Sequence, residues 1–556
     1  MSAIALLLIG LSAFALGYLF YSRFIAARIY RLDPDFRTPA HEQRDDIDYV
    51  PTNRFVLWGH HFTSVAGAAP IVGPAIAVIW GWGPAFIWVI LGTIFIAGVH
   101  DLGAIWASVR NRAQSIGSLT GSLVGPRART LFMIVIFLLL LMVNAVFAVV
   151  IARLFVGFPE SVVPAWSAIV VALILGQLIR RRAIGLAWLS IFGVIALYGA
   201  IWLGQYVPVS LPESVVGLGS NAQWIVILFI YAAIASVLPV WVLLQPRDYI
   251  NGLQLFIGLG LVFAAVVIAN PAVVAPAINQ NLPAGVPPLV PMLFVTIACG
   301  AISGFHGLVA SGTTSKQLDR EPDARFVGYF GAVGEGCLAL AAIIACTAGF
   351  ATLGEWEALY STFAGGGLEA FVEGGATIMS AGYGLPIAVG TTLLAVMAVL
   401  FAATTMDTGI RLQRYIVQEW GNIHAIDWMT RKGPATALAV GCCLGLAFGA
   451  GGTDGTGGLI IWPLFGTTNQ LLAALTLLAI SLLVVKLGRP PWFTLVPMIG
   501  LILMTLTALL FQLVDFYRQE NWFLLGLDLL ILVAAVFVAL ETATALVRAR
   551  KHEEPS

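Results

Sequence analysis

Two segments of this chain place histidine beside glycine inside otherwise apolar sequence. They run over 59–67 and 304–312, and both fit the pattern Gly-x-His-x5-Gly, with its histidine at His61 or at His306. Glycine, and the prolines that follow the first segment, interrupt helical hydrogen bonding, so both segments predict broken helices. Backbone groups freed inside a bilayer must be satisfied by protein, water or a solute, and an imidazole can bind a carboxylate or an amide. The two segments therefore predict a pair of solute-binding elements.

The predicted site takes its residues from both breaks and from a polar interruption near residue 469. A carboxylate would lie against half-helix N-termini and free backbone N–H groups near Gly67 and Gly312. His61 and His306 would orient it, while hydroxyl groups complete its surroundings. An alternative is that these histidines only satisfy neighbouring backbone groups. The predicted substrate-binding residues are His60, His61, Ser64, Gly67, Ala68, Ser303, His306, Ser311, Gly312, Thr313 and Asn469.

Ionisable side chains inside apolar spans are the second chemical signal, because a membrane makes isolated charges costly. Glu335 lies between two glycines in an apolar stretch, so its carboxyl must be paired or protonated, and proton carriage is a reasonable hypothesis. Asp101 follows His100 near the predicted inner surface, where pairing with a basic loop residue is an alternative to coupling. Asp407 precedes Arg411 by four residues, so a helical ion pair is an alternative to ion binding.

Sodium is the alternative coupling ion. It takes several oxygen ligands from carbonyls, hydroxyls and carboxylates. The hydroxyls of Thr404 and Thr405 and unwound carbonyls at 66–69 would supply them. Asp454 is a further ionisable group, near the predicted outer face. The predicted ion-coupling residues are Asp101, Glu335, Thr404, Thr405 and Asp407.

Metal, nucleotide and enzyme chemistry find little support in the sequence. Adjacent His60 and His61 point to different faces of a helix, and no His-x3-His or Cys-x-x-Cys spacing exists. The five cysteines lie in apolar spans and are interpreted as buried small residues. No Walker A sequence exists, and no soluble segment is long enough to hold a catalytic domain. We predict that the chain is not an enzyme and uses no metal and no cofactor besides its coupling ion, H⁺ or Na⁺.

Composition sets the class of protein. The 556 residues are 60% hydrophobic and 10% charged, with a mean hydropathy of +0.94, whereas about 25% of residues are charged in soluble proteins. Apolar stretches near the roughly 20 residues needed to cross hydrocarbon recur from end to end, which predicts an all-α polytopic membrane protein of about fifteen spans. The predicted spans are 1–22, 55–80, 84–107, 128–152, 162–180, 184–205, 223–244, 250–270, 290–312, 327–350, 386–409, 435–450, 459–487, 492–515 and 521–547.

Basic residues give the orientation of these spans. With the N-terminus outside, all but two of the 28 Lys and Arg residues, Arg153 and Arg518, fall on cytoplasmic connections. The positive-inside rule therefore supports this alternation and a cytoplasmic C-terminus. The first span lacks a basic n-region and is interpreted as an uncleaved helix. The formal net charge is zero, and we predict no nucleic-acid partner.

Under this topology the two broken spans run in opposite directions, which is the geometry of an inverted repeat. An alternative register begins the second repeat at 223. A polar linker is predicted at 32–54, a short amphipathic piece at 115–124, and a short interfacial helix in the Gly-rich segment 354–384. The predicted organisation is an extra N-terminal helix at 1–22, a first repeat at 55–205, an inserted hairpin at 223–270, an inverted second repeat at 290–487 and a C-terminal helix pair at 492–547.

Several sequence islands between residues 53 and 485 carry a family resemblance. They read NRFVLWGHHF at 53–62, LQPRDY at 244–249, SGFH at 303–306 with SGTT at 311–314, and WPLFGTTNQ at 462–470. These motifs resemble the carbon starvation protein (CstA) family. The resemblance implies a bacterial inner-membrane uptake system for peptides or, in some members, pyruvate, used during carbon starvation. It also implies a LeuT-like fold of the APC superfamily, with two discontinuous helices and extra helices around the repeat.

Residues and resemblance together lead us to expect a secondary active importer, of short peptides first and of pyruvate second. Its partners would be that small molecule and the lipid bilayer, with a homo-oligomer as an open alternative. A membrane nutrient sensor that binds the same solute without net transport is a rival, weakened by the absence of a cytoplasmic output domain. A channel is a second rival, although two inverted broken helices suit alternating access better.

Overall fold

The computed structural model describes residues 1–46, 48–180, 185–239, 242–363, 366–450 and 460–551. Within these residues, thirteen helices are long and apolar enough to cross a membrane, or fourteen when one bent pair is counted as a span. The prediction of an all-α polytopic membrane protein is confirmed. The division into repeats, hairpin and C-terminal pair stays a prediction, and Asp454 lies outside the described residues.

The helices are numbered here in chain order, without the single turns. The first ten are α1 (Ala3–Tyr30), α2 (Arg54–Ala66), α3 (Ala69–Ala77), α4 (Trp82–Arg110), α5 (Ile116–Leu123), α6 (Pro126–Gly157), α7 (Val162–Arg180), α8 (Leu186–Gly204), α9 (Ser220–Val237) and α10 (Leu244–Ala269). A small antiparallel pair, β1 (Ser214–Val215) and β2 (Leu218–Gly219), lies between α8 and α9.

The second set of helices follows a long connection after α10. These helices are α11 (Leu289–Thr296), α12 (Gly304–Val309), α13 (Arg325–Ala348), α14 (Leu353–Leu359), α15 (Gly367–Tyr383), α16 (Ile387–Ile423), α17 (Lys432–Gly449), α18 (Trp462–Lys486), α19 (Trp492–Arg518) and α20 (Trp522–Lys551).

The interior of the bundle is formed around α6, α13 and α18. Their most apolar windows are 83%, 83% and 94% buried, whereas those of α8, α19 and α20 are 28%, 33% and 33% buried. The three inner helices are therefore surrounded almost entirely by protein, whereas the three outer helices expose a broad apolar face to lipid. Polar side chains on the inner helices must consequently find partners within the protein.

The first broken helix consists of α2 and α3, which are bent by 45°. Gly67, at the bend, has φ +42, in the left-handed region that favours glycine. A Cβ at this position would lie 2.8 Å from the Phe147 ring and 2.9 Å from the Thr405 hydroxyl. Glycine is thus needed both for the bend and for the close approach of α6 and α16.

The second break lies on the N-terminal side of the histidine motif. α11 ends at Thr296, residues 297–303 are not helical, and α12 begins at Gly304. The chain does not open near Gly312, as the sequence pattern suggested, because Ala310–Thr314 continues α12 as a π-helix. A Cβ at Gly304 would lie 2.6 Å from the Ala473 nitrogen, so this glycine serves close packing on α18.

The segment 354–384 also differs from its prediction. In place of a short interfacial helix alone it holds α14 and the 17-residue α15, and α15 packs on α3, α10, α13 and α16. A Cβ at Gly374 would overlap the Ala345 carbonyl oxygen of α13, and a Cβ at Gly349 would lie 2.5 Å from the Gly374 carbonyl carbon. The glycines of this segment therefore permit direct backbone contact between α13 and α15.

Candidate functional site

A chain of four buried ionisable side chains connects α4, α12 and α13. His100 Nδ1 lies 2.7 Å from Asp101 Oδ1, and His306 Nδ1 lies 2.8 Å from Asp101 Oδ2. His306 Nε2 lies 3.0 Å from Glu335 Oε2, within ion-pair distance but without the alignment of a hydrogen bond. All four side chains are at most 1% exposed. The His306 imidazole thus joins two carboxylates. We call the four residues His100, Asp101, His306 and Glu335 the relay.

Irregular helical turns and glycines bring the relay together. π-helical stretches precede His100 at Thr93–Ala97 and Glu335 at Arg325–Tyr329, and such turns often occur at functional sites. A Cβ at Gly334 would lie 2.6 Å from the Phe62 ring, and one at Gly336 would lie 2.7 Å from the Thr93 hydroxyl. The two glycines around Glu335 therefore let α13 approach α2 and α4 closely.

The relay is also attached to the second break. Thr93 of α4 donates its hydroxyl hydrogen to the Gly300 carbonyl at 3.1 Å. Phe305 N donates to Asn469 Oδ1 at 2.9 Å, and Asn469 Nδ2 donates to Ser303 Oγ at 3.1 Å. The amide of α18 therefore holds the start of α12, the helix that carries His306.

A second buried cluster joins α2, α9, α10 and α16. His60 Nδ1 lies 3.0 Å from Asp248 Oδ2, and Arg247 Nη2 donates to Asp248 Oδ1 at 3.1 Å. Arg247 Nη1 also pairs with Asp407 Oδ2, which accepts from Tyr231 Oη at 2.8 Å. We call these five residues the arginine cluster.

The arginine cluster corrects one expectation and adds residues that the sequence interpretation missed. Asp407 pairs with Arg247 and not with Arg411, because the Arg411 guanidinium donates to the Ala235 and Leu238 carbonyls at the end of α9. Arg247 and Asp248 were assigned to a loop by charge counting, yet they are 2% and 0% exposed. In the sequence, the signal for this cluster was the pair of adjacent opposite charges, Arg247 and Asp248, in a predicted membrane hairpin.

The predicted residues at the first break fall into two groups. His61 Nδ1 lies 2.8 Å from the Thr314 hydroxyl, whereas His61 Nε2 and Ser64 Oγ are buried with no partner in the described part of the chain. The Ala68 carbonyl accepts from Ile71 N at 3.1 Å, inside the first turn of α3. The imidazole nitrogen and the hydroxyl are thus buried polar atoms whose hydrogen-bonding capacity is left unused by the described residues.

The predicted sodium ligands also lie at this break. Thr405 Oγ1 donates to the Ser64 carbonyl at 3.3 Å. Thr404 Oγ1 donates to the Leu400 carbonyl at 2.7 Å and accepts from Asn251 Nδ2 at 2.9 Å. Thr405 thus lies beside an α2 carbonyl, while the Thr404 hydroxyl is already used twice.

The last predicted group, at 311–313, is not directed at either break. Ser311 Oγ donates to the Gly307 carbonyl at 2.7 Å and accepts from Ile116 N at 3.0 Å, which caps the adjoining α5. Thr313 Oγ1 donates to the Val309 carbonyl at 3.0 Å. A Cβ at Gly312 would lie 3.0 Å from Leu412 of α16. These residues stabilise the end of the broken helix in this conformation.

Cavities of very different size lie at the two ends of the bundle. One of about 760 Å³, at the predicted outer end, is lined by residues that include Val72 of α3 and Trp462 of α18. One of about 20 Å³, at the predicted inner end, is lined by residues that include His60 and Thr313. The cavity at the predicted outer end is therefore far larger than the one at the predicted inner end.

A family model described as Carbon starvation protein CstA matches residues 2–364 and 353–508. The chain belongs to the CstA family. It is 33% identical to "Peptide transporter CstA" of Campylobacter jejuni, over 91% of this chain and 79% of that protein. It is 31% identical to "Pyruvate/proton symporter BtsT" of Escherichia coli, over 91% and 81% of the two chains. CstA-family relatives are thus transporters, and this chain is a multi-pass membrane transporter and not an enzyme.

A solved structure of a manganese transporter from Eremococcus coleocola has a TM-score of 0.53 to this chain at 12% identity, covering 91% of this chain and 99% of that one. This likeness concerns the fold, and it confirms the predicted LeuT-like architecture. Within the described residues, no group of three or more His, Cys, Asp and Glu side chains is arranged to hold a metal ion.

Proposed function

We propose that this CstA-family chain is a proton-coupled symporter that imports short peptides, or a small carboxylate such as pyruvate, across the bacterial inner membrane. The observation that carries the proposal is the relay, in which His306 lies between Asp101 and Glu335 with no exposure to solvent. Buried carboxylates of this kind are typical of proton paths in membrane transporters. The relative named as a pyruvate/proton symporter supports the same coupling ion.

The relay couples proton binding to movement through its charge. With Asp101 and Glu335 ionised, His306 protonated and His100 neutral, the relay has a formal charge of −1. One further proton, on Glu335, makes it neutral and removes the attraction between His306 and Glu335. Because His306 is on α12 and Glu335 is on α13, this proton releases one contact between the broken helix and its neighbour.

The solute binds between the two breaks in this proposal. His61 Nε2 and Ser64 Oγ supply polar contacts that no described protein group uses, and buried polar atoms are normally partnered. The bend at Gly67 lies against Phe147 of α6 and Thr405 of α16. A carboxylate or a peptide group bound there would lie at the start of α3, where helix N–H groups favour an acceptor.

Sodium is the second candidate coupling ion, favoured by the Thr405 hydroxyl beside the Ser64 carbonyl. Hydroxyl and carbonyl oxygens suit Na⁺, but a cation site normally adds a carboxylate. The nearest predicted carboxylate, Asp407, is held by Arg247 and Tyr231. The proton is therefore the better-supported driver.

Replacement of the central histidine tests the function directly. In proteoliposomes, wild-type protein is expected to accumulate a labelled dipeptide or pyruvate when a pH gradient is imposed, and not when only a Na⁺ gradient is imposed. His306→Ala is expected to lower this uptake at least about tenfold, because Asp101 and Glu335 lose their shared partner. His424→Ala is the control, since His424 is exposed.

Several outcomes would contradict this proposal. Binding of the solute without accumulation under either gradient would favour the sensor. Accumulation by His306→Ala at the wild-type rate would remove the relay from the mechanism. Accumulation driven by Na⁺ alone, and lost in Thr405→Ala, would move coupling to the first break.

Orientation is a separate expectation. The N-terminus is expected to be outside and the C-terminus in the cytoplasm, since only Arg153 and Arg518 among the basic residues fall on the outer side of the predicted topology. A single cysteine is placed at Ser2 or at Ser556 in a cysteine-free background, and its labelling by a membrane-impermeant maleimide is measured. Labelling of only the first in intact cells is expected. Equal labelling of both ends would contradict the topology.

A further inference from the structure

The large cavity at the predicted outer end is distinct from the relay and from the first break. Its wall is formed by parts of α3, α6, α15, α18 and α19 and by the chain that leads into α11. Its volume of about 760 Å³ lies within the range of about 300–1,000 Å³ that is usual for small-molecule sites. None of the relay residues lines it. We call it the vestibule.

The vestibule contains both basic residues of the predicted outer side. Arg153, half-buried near the end of α6, and Arg518, exposed at the end of α19, both line it. In the described part of the chain neither guanidinium has an acidic side chain within ion-pair distance. An arginine without a partner is a ready binding group for a carboxylate.

Two acidic residues line the same cavity. Glu369 is in the first turn of α15, and Asp515 is three residues before Arg518 on α19. The formal charges of the ionisable lining residues therefore cancel. A solute with only a carboxylate would meet repulsion as well as attraction. A solute with a carboxylate and an ammonium group has an opposite charge available for each end.

Two residues of the vestibule wall each have a buried polar atom that no described residue partners. Gln512, 4% exposed, donates its Nε2 hydrogen to Thr467 Oγ1 at 2.7 Å, and its Oε1 has no partner within the described residues. Trp462 is 3% exposed, and its Nε1 has no partner among the residues that the structure describes. Both atoms are enclosed by protein, so a solute in the cavity meets them only after the two side chains turn toward it. Once turned, they offer one acceptor for the N–H and one donor for the C=O of an amide.

We propose that the vestibule is a second binding site, for a zwitterionic short peptide, which occupies it before reaching the breaks. Arg153 and Arg518 hold the carboxylate, and Glu369 and Asp515 hold the ammonium group. Gln512 and Trp462 bind the peptide bond once their side chains turn toward the cavity. This inference rests on the proposed import function and narrows its substrate class from small carboxylates to peptides.

Competition for binding of labelled alanyl-alanine to purified protein tests the assignment. The competitors are unlabelled alanyl-alanine, its C-terminal amide, its N-acetyl form and pyruvate. For wild-type protein, each blocked dipeptide and pyruvate are expected to bind at least about tenfold more weakly than alanyl-alanine, since each loses one charge-assisted contact. Arg153→Gln is expected to reduce only the preference over the amide, and Glu369→Gln only the preference over the N-acetyl form, since Arg518 and Asp515 remain.

Ratios of affinities do not depend on the folded fraction of a variant, so a poorly folded sample still gives an interpretable pattern. Arg153→Lys is expected to keep the preference over the amide, and Arg127→Gln, on the exposed start of α6, is the control. Equal weakening of all ligands by Arg153→Gln, unchanged preferences in both variants, or no binding by wild-type protein would each overturn the proposal.

The same assay separates this inference from the proposed function. His306→Ala is expected to lose uptake but to keep the preferences that depend on Arg153 and Glu369. If wild-type protein shows these preferences but accumulates nothing in proteoliposomes, the second binding site is supported and the import function is contradicted. If His306→Ala loses the preferences, the vestibule is not a separate site.

Discussion

Glu335→Gln is expected to abolish accumulation of solute on a pH gradient while leaving exchange of labelled for unlabelled solute intact. The amide mimics a carboxyl group that is permanently protonated, so the contact between α12 and α13 no longer changes with the proton. Exchange requires the solute to bind, cross and return, and it does not require the proton to be released. Solute is then expected only to equilibrate across the membrane, because the pH gradient no longer drives its uptake.

The measurement uses one proteoliposome preparation for both assays. Accumulation is followed after an imposed pH gradient, and exchange is followed with equal solute on both sides of the membrane. Glu357→Gln is the matched control, because Glu357 is exposed on the short helix α14. Normal accumulation by Glu335→Gln on a pH gradient alone would exclude Glu335 as the proton carrier. Loss of both activities would indicate that Glu335 is needed for folding or for solute binding.

Arg247→Met is expected to destabilise the protein by about 3–5 kcal/mol, the range measured when one member of a buried ion pair is removed. Arg247 is 2% exposed and contacts both Asp248 and Asp407. Without the guanidinium, two buried carboxylates keep only His60 and Tyr231 as partners. Methionine fills much of the space of the arginine stem, so the lost charge, not a cavity, dominates the effect.

Thermal unfolding in detergent, followed by the fraction of monodisperse protein, measures this loss. Arg431→Met is the control, because Arg431 is exposed between α16 and α17. The triple variant Arg247→Met, Asp248→Asn and Asp407→Asn is expected to recover part of the stability, because no buried charge then lacks a partner. Unfolding of Arg247→Met at the wild-type temperature would mean that the arginine cluster is hydrated.

The sequence was enough to predict three residues of the relay, but it did not predict which residues they contact. Asp101, His306 and Glu335 were identified because ionisable groups are rare in apolar spans. Their mutual contacts join positions far apart in sequence, such as Asp101 and His306, and follow from helix packing that periodicity does not encode. Arg247 was assigned to a cytoplasmic loop because charge counting locates a residue near a membrane surface and does not detect burial.

The sequence pattern also did not predict where the second helix breaks. Gly67 and Gly304 occupy different places in the same motif and have different roles, a bend and a close contact. Glycine is favoured in both roles, so the sequence does not distinguish them. The contact of Gly304 depends on α18, and only the folded structure shows it. The Gly-rich segment 354–384 was misjudged for the same reason, since its glycines pack α15 on α13.

The backbone contact between α13 and α15 has a mechanical consequence. Gly349 and Gly374 bring the backbones of the two helices into direct contact, with no side chain between them. We expect the pair to move as one rigid body, which carries Glu369 at the mouth of the vestibule and Glu335 in the relay. A tilt of a few degrees that admits a solute at the mouth also displaces the carboxyl group of Glu335 from His306. We expect that loading of the outer cavity and proton uptake share one motion.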